Sequence, residues 1–194
     1  ENGLHGYDWF DFEGKEGLKK EDLRFLIYPD DNEVIETGLR GIFLSNYFYY
    51  DGNIHVDIAK SKYGWMEAKK PFDRTFKRTS NLDDMHENGA HDYLKFIKLG
   101  YGRGTDHANY EIREGRITRE EGLAMVNKYD HVKPSDLKRW LKYVGMEESE
   151  FDQIADTFRD QRVWRIKNNS WYKMNADGEF HQYGKVKGLP EWAK

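Results

Sequence analysis

Cysteine is absent from all 194 residues, so the chain holds neither a disulfide framework nor a thiolate metal site. Long apolar runs are missing as well: none approaches the roughly 20 residues that a membrane span requires. The opening ENGLHGYDWF lacks the basic-then-apolar order of a secretion signal. Together these absences lead to the expectation of a soluble, cytoplasmic polypeptide with no membrane partner. The seven histidines show neither H-x-x-x-H nor H-E-x-x-H spacing, so no metal site is expected. A nucleophile elbow and a Walker loop are also missing. A long nucleic acid would call for a basic balance, whereas the net charge is −4. Nor does the chain open with methionine, and a fragment or processed form is the expectation.

What is present suits one domain or one and a half. Apolar residues reach only 38%, yet eleven Phe, thirteen Tyr and six Trp supply bulk for a core. Residues 91–121, HDYLKFIKLGYGRGTDHANYEIREGRITREE, are the most informative. His91 and Asp92 open this stretch, and Lys95 and Lys98 follow at helical spacing. Gly100, Gly102 and Gly104 then alternate with Tyr101 and Arg103, and Thr105 and Asp106 begin a further helix. Glycine permits positive φ and close approach to a ligand, and a helix N-terminus adds unpaired N–H donors and a positive dipole end. The pattern therefore predicts an anion site with Arg103 as a planar donor; a turn between helices is the simpler alternative.

His91-Asp92 and Asp106-His107 are two acid/base pairs. Sequence neighbours on a helix point apart, so neither pair is itself a dyad, but His91 or Asp106 facing the loop would act on a bound substrate. Two basic clusters, Lys69, Lys70, Arg74, Lys77, Arg78 and Arg103, Arg113, Arg116, Arg119, suit a phosphate-bearing small molecule in an acidic chain. For the first cluster a solvated surface is the plainer reading.

Taken in order, residues 1–19 read as loop, 20–27 as a short helix ending before Tyr28-Pro29, and 31–36 as a second, capped by Asp31. Ile42, Phe43 and Leu44 form an apolar run expected of a buried strand over 41–47. Asn53 would cap a helix over 54–63, stopped by Gly64. Ligands in open α/β sheets sit beyond strand carboxyl ends, which nominates Asn46 and Tyr47, with ordinary turn chemistry as the alternative for Asn46. An irregular basic connection fills 65–80, and helical periodicity runs from 81, with Leu82, Met85, Tyr93, Phe96 and Ile97 on an apolar stripe. Helices follow over 105–114, from the capping box Thr118/Glu121 to Tyr129, and from Ser135 to Val144. Phe151, Ile154, Ala155 and Phe158 mark one more. All these stripes read as core. Asn168-Asn169 and Asp177-Gly178 mark hairpin turns, predicting a β ribbon over 163–183. The expected fold class is α/β but mainly helical. It divides into the end of a sheet domain (1–64), a helical bundle with the glycine loop (65–160) and the ribbon tail (161–194).

His91-Asp92-Tyr93, Lys95, Lys98, Gly100-x-Gly102-Arg103-x-Thr105-Asp106, Ile112-Arg113-x-Gly115 and Arg119-x-Glu121 resemble the carboxyl-terminal half of N-acetyl sugar amidotransferases. LRGIFLSNYFYYDG before them and P-x-x-L-x-x-W-L-x-Y-x-G-M-x-x-x-E-F after them extend the resemblance over about residues 23–166. That family serves lipopolysaccharide and flagellin-sugar synthesis and is similar to PP-loop ATP pyrophosphatases. The resemblance implies ATP with magnesium as co-substrate, a nucleotide-linked N-acetyl sugar whose acetamido group becomes acetamidino, and ammonia from a glutaminase partner. The family's Ser-Gly-Gly-x-Asp-Ser loop and clustered cysteines lie in its amino-terminal half and are absent here. The chain is thus expected to complete a site whose ATP-binding half lies elsewhere.

Carried onto these positions, Arg103, Thr105 and the backbone of Gly100, Gly102 and Gly104 would bind an anionic group. His91, Asp92 and Asp106 would orient or deprotonate substrate or ammonia. Lys95, Arg113 and Arg119 would steady phosphates, or form ion pairs that hold helices. Two alternatives accompany this reading: a non-catalytic docking module for the glutaminase, and a PP-loop relative that modifies tRNA.

Overall fold

The computed structural model describes residues 7–80 and 88–194, so Leu82 and Met85 of the predicted stripe lie outside the described residues. The chain forms two compact units, Glu1–Gly52 and Asn53–Lys194. In the first, 3-10 turns at Trp9–Asp11, Lys15–Gly17, Arg24–Leu26 and Leu44–Asn46 accompany one short helix, α1 (Asp31–Glu36). Asp30, rather than Asp31, caps α1, in a reciprocal box with Glu33. The helix expected over 20–27 is the single turn Arg24–Leu26. The strand expected over 41–47 is likewise a 3-10 turn, with Ile42, Phe43 and Leu44 exposed. A strand needs a neighbour for its N–H and C=O groups. Among the described residues, the only sheet is at the other end of the chain.

The second unit is helical with a small antiparallel ribbon, as expected. Its helices are α2 (Gly52–Tyr63, which starts at the unit boundary), α3 (Asn88–Leu99), α4 (Arg103–Arg113), α5 (Arg119–Tyr129), α6 (Leu137–Val144) and α7 (Glu148–Thr157). The strands β1 (Trp164–Lys167), β2 (Ser170–Met174) and β3 (Phe180–Lys185) follow in sequence order. Asn168 and Asn169 both take positive φ, as a tight hairpin turn of the I′ kind requires.

Helix α3 is the spine because it is apolar on two sides. Ala90, Tyr93, Leu94 and Ile97, at i, i+3, i+4 and i+7, meet Leu137 and Leu141 of α6 and Phe151 and Ala155 of α7. Phe96 faces the other way, against Trp164 and Trp171, both 0% exposed. The Trp164 indole N–H donates to the Ile97 carbonyl at 2.6 Å, which satisfies its one polar atom inside the core. Val144, Ile154 and Phe158 of the predicted stripes remain exposed to 43%, 43% and 54%, since the α6 and α7 stripes are wider than the face they turn to α3. Helices α4 and α5 approach closely: a Cβ on Gly122 would lie 2.6 Å from the Ile112 Cδ1.

The tail is fastened to α7 by Asp156, whose carboxylate accepts from Arg159 Nε at 2.8 Å and from the N–H of Lys187 at 2.7 Å and Gly188 at 3.2 Å. A Cβ on Gly188 would stand 2.1 Å from the main-chain oxygen of Gln153, an atom that cannot swing away. Gly188→Ala is therefore expected to cost about 1–3 kcal/mol. Urea unfolding followed by tryptophan fluorescence measures it, and an unchanged midpoint would show that the tail does not dock this way.

Candidate functional site

The N-terminus of α4 is occupied by one of the protein's own carboxylates. Gly102 precedes Arg103 as the cap residue and has no side chain to offer. Asp130, at the C-terminal end of α5, fills the gap: it accepts from the N–H of Gly102 at 2.8 Å, the N–H of Thr105 at 3.1 Å and the Thr105 hydroxyl at 2.5 Å. Only 3% of Asp130 is exposed. A carboxylate is favoured at a helix N-terminus by the orphan donors and the dipole. Glycine makes room at 104, where a Cβ would lie 2.7 Å from an Asp130 oxygen, and at 102, where it would lie 2.9 Å from the Arg74 guanidinium. Gly100 instead ends α3 in a left-handed conformation, φ 76°.

Arg74 closes the same junction from the irregular segment before α3. Fully buried, its guanidinium donates to the carbonyls of Asp92 at 3.0 Å, Asp130 at 2.6 Å and Val132. Burial lowers its pKa to about 10, against the opposing pull of Asp130 and Asp92, so it stays charged near neutrality. Asp73, its neighbour, accepts from both the N–H and the hydroxyl of Ser135, which holds this segment to the start of α6.

Beside the junction opens a cavity of about 350 Å³. Asp92 and Arg103 form one wall: Arg103 Nη2 donates to Asp92 Oδ1 at 2.9 Å, and Nε contacts both carboxylate oxygens at 3.2 Å. His107, one turn along α4, forms the next wall; its Nδ1 lies 2.6 Å from the Thr75 hydroxyl and its ring meets Phe76 edge-on. Burial, with Arg103 and Lys77 nearby, lowers the His107 pKa to about 4, so the ring is neutral at physiological pH. Asp136 completes the polar lining. One oxygen caps α3 by accepting the Gly89 N–H at 3.0 Å, the other is buried without a hydrogen-bond partner among the described residues, and burial raises the carboxyl pKa. Lys69 and Lys70 add positive charge, and Pro71, Phe72 and Pro134 add apolar wall. A volume of this order suits a small ligand.

The family model described as LPS biosynthesis protein WbpG-like, C-terminal domain, matches residues 60–176, more than half of the chain. The chain belongs to this family. The family places the protein in lipopolysaccharide biosynthesis, and the matched residues include the whole cavity lining and Asp130. Comparison with curated proteins found no match.

Within this WbpG-like domain the predicted site residues divide. Asp92 and Arg103 meet at the cavity. His91 is beside them, with Nδ1 3.2 Å from Asp92 Oδ1, but its side chain is 67% exposed. Asp106 turns away from the cavity to pair with Lys95 at 2.5 Å, and the Lys95 ammonium lies 4.7 Å from the centre of the Tyr101 ring. Gly102, Gly104 and Thr105 do surround an anion, but it is Asp130, which corrects the expected ligand cradle. Arg113 and Arg119 are exposed and do not line the cavity; Arg113 lies over the Tyr110 ring at 6.0 Å. Asn46 and Tyr47 belong to the first unit, in and just after its last 3-10 turn.

The 69–78 cluster divides: Lys69, Lys70 and Arg78 are exposed, as a solvated face requires, and Arg74 and Lys77 are not. Arg74 is buried, Lys77 pairs with Glu111 and Arg78 pairs with Glu67. Glu111 also accepts from Arg116 and Asn53; burial alone would raise its pKa, but these donors with Lys77 lower it to about 2. Asn53 lies inside α2 and makes this contact instead of capping the helix, and Ser135 bonds Asp73 instead of capping α6. Sequence reasoning missed Arg74, Thr75, His107, Asp130 and Asp136 as members of the site. Only His107, beside Asp106 and one helical turn after Arg103, carried a local signal.

The depressed His107 pKa has a consequence for stability. The unfolded imidazole takes up a proton near pH 6.5 and the folded one near pH 4. Between these values the unfolded chain binds more protons, so stability falls as pH drops from about 6.5 to about 4. The loss is on the order of 2–3 kcal/mol. Urea midpoints measured across that range should decline in the wild type. They should decline less in His107→Gln, and equal declines would show that the ring is not held neutral.

Proposed function

We propose that this chain is part of an ATP-dependent amidotransferase of surface polysaccharide synthesis. The substrate is a nucleotide-linked N-acetyl sugar, and the product carries an acetamidino group. The amide oxygen is a poor leaving group. Transfer of AMP from ATP to that oxygen releases pyrophosphate, ammonia adds to the carbon, and AMP departs with the oxygen. A glutaminase partner supplies the ammonia.

One observation carries this reading: Arg103 is fixed by Asp92 at the wall of a small-ligand cavity in a lipopolysaccharide biosynthesis domain. A guanidinium fixed beforehand stabilises the oxygen on which negative charge develops and pays little reorganisation on reaction. In the glycine loop, Asp130 already takes the N–H groups of Gly102 and Thr105. In this reading ATP and magnesium would be held by an amino-terminal half with a Ser-Gly-Gly-x-Asp-Ser loop, as the family resemblance implies, and this chain's share is to hold the acceptor sugar.

The test joins this chain to that amino-terminal half and supplies ATP, ammonia and an acetamido sugar nucleotide. AMP and pyrophosphate should appear together, and glutamine should replace ammonia only when the glutaminase is added. A folded preparation that releases neither AMP nor pyrophosphate would sink the proposal.

A further inference from the structure

We infer that His107 is a neutral hydrogen-bond donor to an oxygen atom of the bound ligand, with Thr75 as the positioning residue that fixes its tautomer. The inference deepens the reading of this cavity as the ligand site and rests on it. Thr75 is buried, and its hydroxyl oxygen already accepts the N–H of Lys77 at 3.3 Å. A buried hydroxyl must also place its own proton, and among the described residues the acceptor it meets is His107 Nδ1 at 2.6 Å. Thr75 therefore donates to Nδ1, and the ring proton of the neutral imidazole resides on Nε2.

Nε2 has no protein partner among the described residues, and His107 lines the cavity. Four residues earlier on α4, Arg103 uses Nε and Nη2 on Asp92 and leaves Nη1 without a protein partner among the described residues. Side chains four apart share one face of a helix. The cavity thus presents one charged and one neutral donor from the same face, a pair suited to a phosphoryl or carbonyl oxygen. The charged groups around the ring are Arg103 and Asp106 on α4, Lys77 on the preceding segment and Asp92 on α3. A neutral donor holds an oxygen without giving up its proton, so His107 is not the base that deprotonates ammonia.

The test is 15N NMR of the imidazoles in the 194-residue chain, with the His107 signals assigned by their loss in His107→Gln. Nδ1 should resonate as an unprotonated nitrogen and Nε2 as a protonated one, unchanged from about pH 5.5 to about pH 8. Thr75→Val should mix the two tautomers while Thr75→Ser keeps the wild-type signature. A proton on Nδ1, a charged ring at neutral pH, or a Thr75→Val spectrum like wild type would overturn the inference. Inorganic phosphate and N-acetylglucosamine are then titrated separately. A shift of the Nε2–H signal with phosphate alone identifies a phosphoryl oxygen, with the sugar alone a carbonyl oxygen, and with neither denies His107 a ligand contact. The tautomer needs no turnover, so it stands or falls apart from the amidotransferase assay.

Discussion

Asp130→Ala is expected to destabilise the second unit by about 4 kcal/mol. The carboxylate is buried and accepts three hydrogen bonds, from Gly102 N–H, Thr105 N–H and the Thr105 hydroxyl. Truncation strips α4 of its cap, which costs about 1 kcal/mol. It also leaves the two N–H groups and the hydroxyl without partners, at about 1–3 kcal/mol for each group that stays dry. Arg74 makes matters worse: its buried charge counts Asp130 as its largest electrostatic support. Breaking a buried charged contact from one side costs about 3–5 kcal/mol. Asp130→Asn keeps the shape and one carbonyl oxygen but loses the charge, so its loss should be smaller. Denaturant unfolding measures both. A loss below about 1 kcal/mol for alanine would mean that water or another group caps α4 as well as Asp130 does.

The second large effect is on turnover. Arg103→Ala should lower AMP release in the reconstituted reaction by about 10²-fold, the loss that follows removal of one preorganised donor from an oxyanion. The variant leaves the Asp92 carboxylate buried without its guanidinium, so its folding has to be checked by circular dichroism alongside the assay. Arg103→Lys guards against a folding artefact. It keeps the charge near Asp92 but cannot grip the carboxylate with a planar fork while offering a second edge to the cavity. A folded Arg103→Lys protein is expected to remain well below wild type, and full activity would remove Arg103 from the site. Arg119→Ala, at an exposed position that does not line the cavity, should turn over normally.

These expectations differ from a reading of the glycine loop as a phosphate cradle, and the reason lies in long-range geometry. Gly100-x-Gly102-x-Gly104 does mark a helix N-terminus with backbone donors, as its composition says. What the pattern leaves open is the anion, because phosphate and an aspartate from a packed helix satisfy the same donors. The glycines serve packing: Gly104 makes room for Asp130, Gly102 for Arg74, and Gly100 for Val163. Arg103 behaves similarly. Its sequence context predicts a planar donor, and it is one, but its first partner is Asp92 of α3.

Periodicity located the helices well where a stripe was long enough to bury. The 3.6-residue pattern of Leu137, Trp140 and Leu141 produced α6, and the Asn168-Asn169 turn produced the ribbon, because both are local preferences of backbone and side chain. The apolar run Ile42-Phe43-Leu44 misled because a strand is not local: it exists only where another strand accepts its hydrogen bonds. Asp136 was hidden for the same reason, since nothing near it in sequence announces that its carboxylate caps Gly89.

Local chemistry therefore settled the helical character, the capped α5, the C-terminal hairpins and the clustering of basic and acidic groups in residues 91–121. Packing settled which carboxylate fills the α4 terminus, that Arg74 is interior, and that His107 rather than His91 lines the cavity. The physical divide is one of range. Helix ends, turns and stripes depend on neighbours within a few residues. Burial and the pairing of charges depend on segments that meet only after folding, and those two quantities set the chemistry of a site.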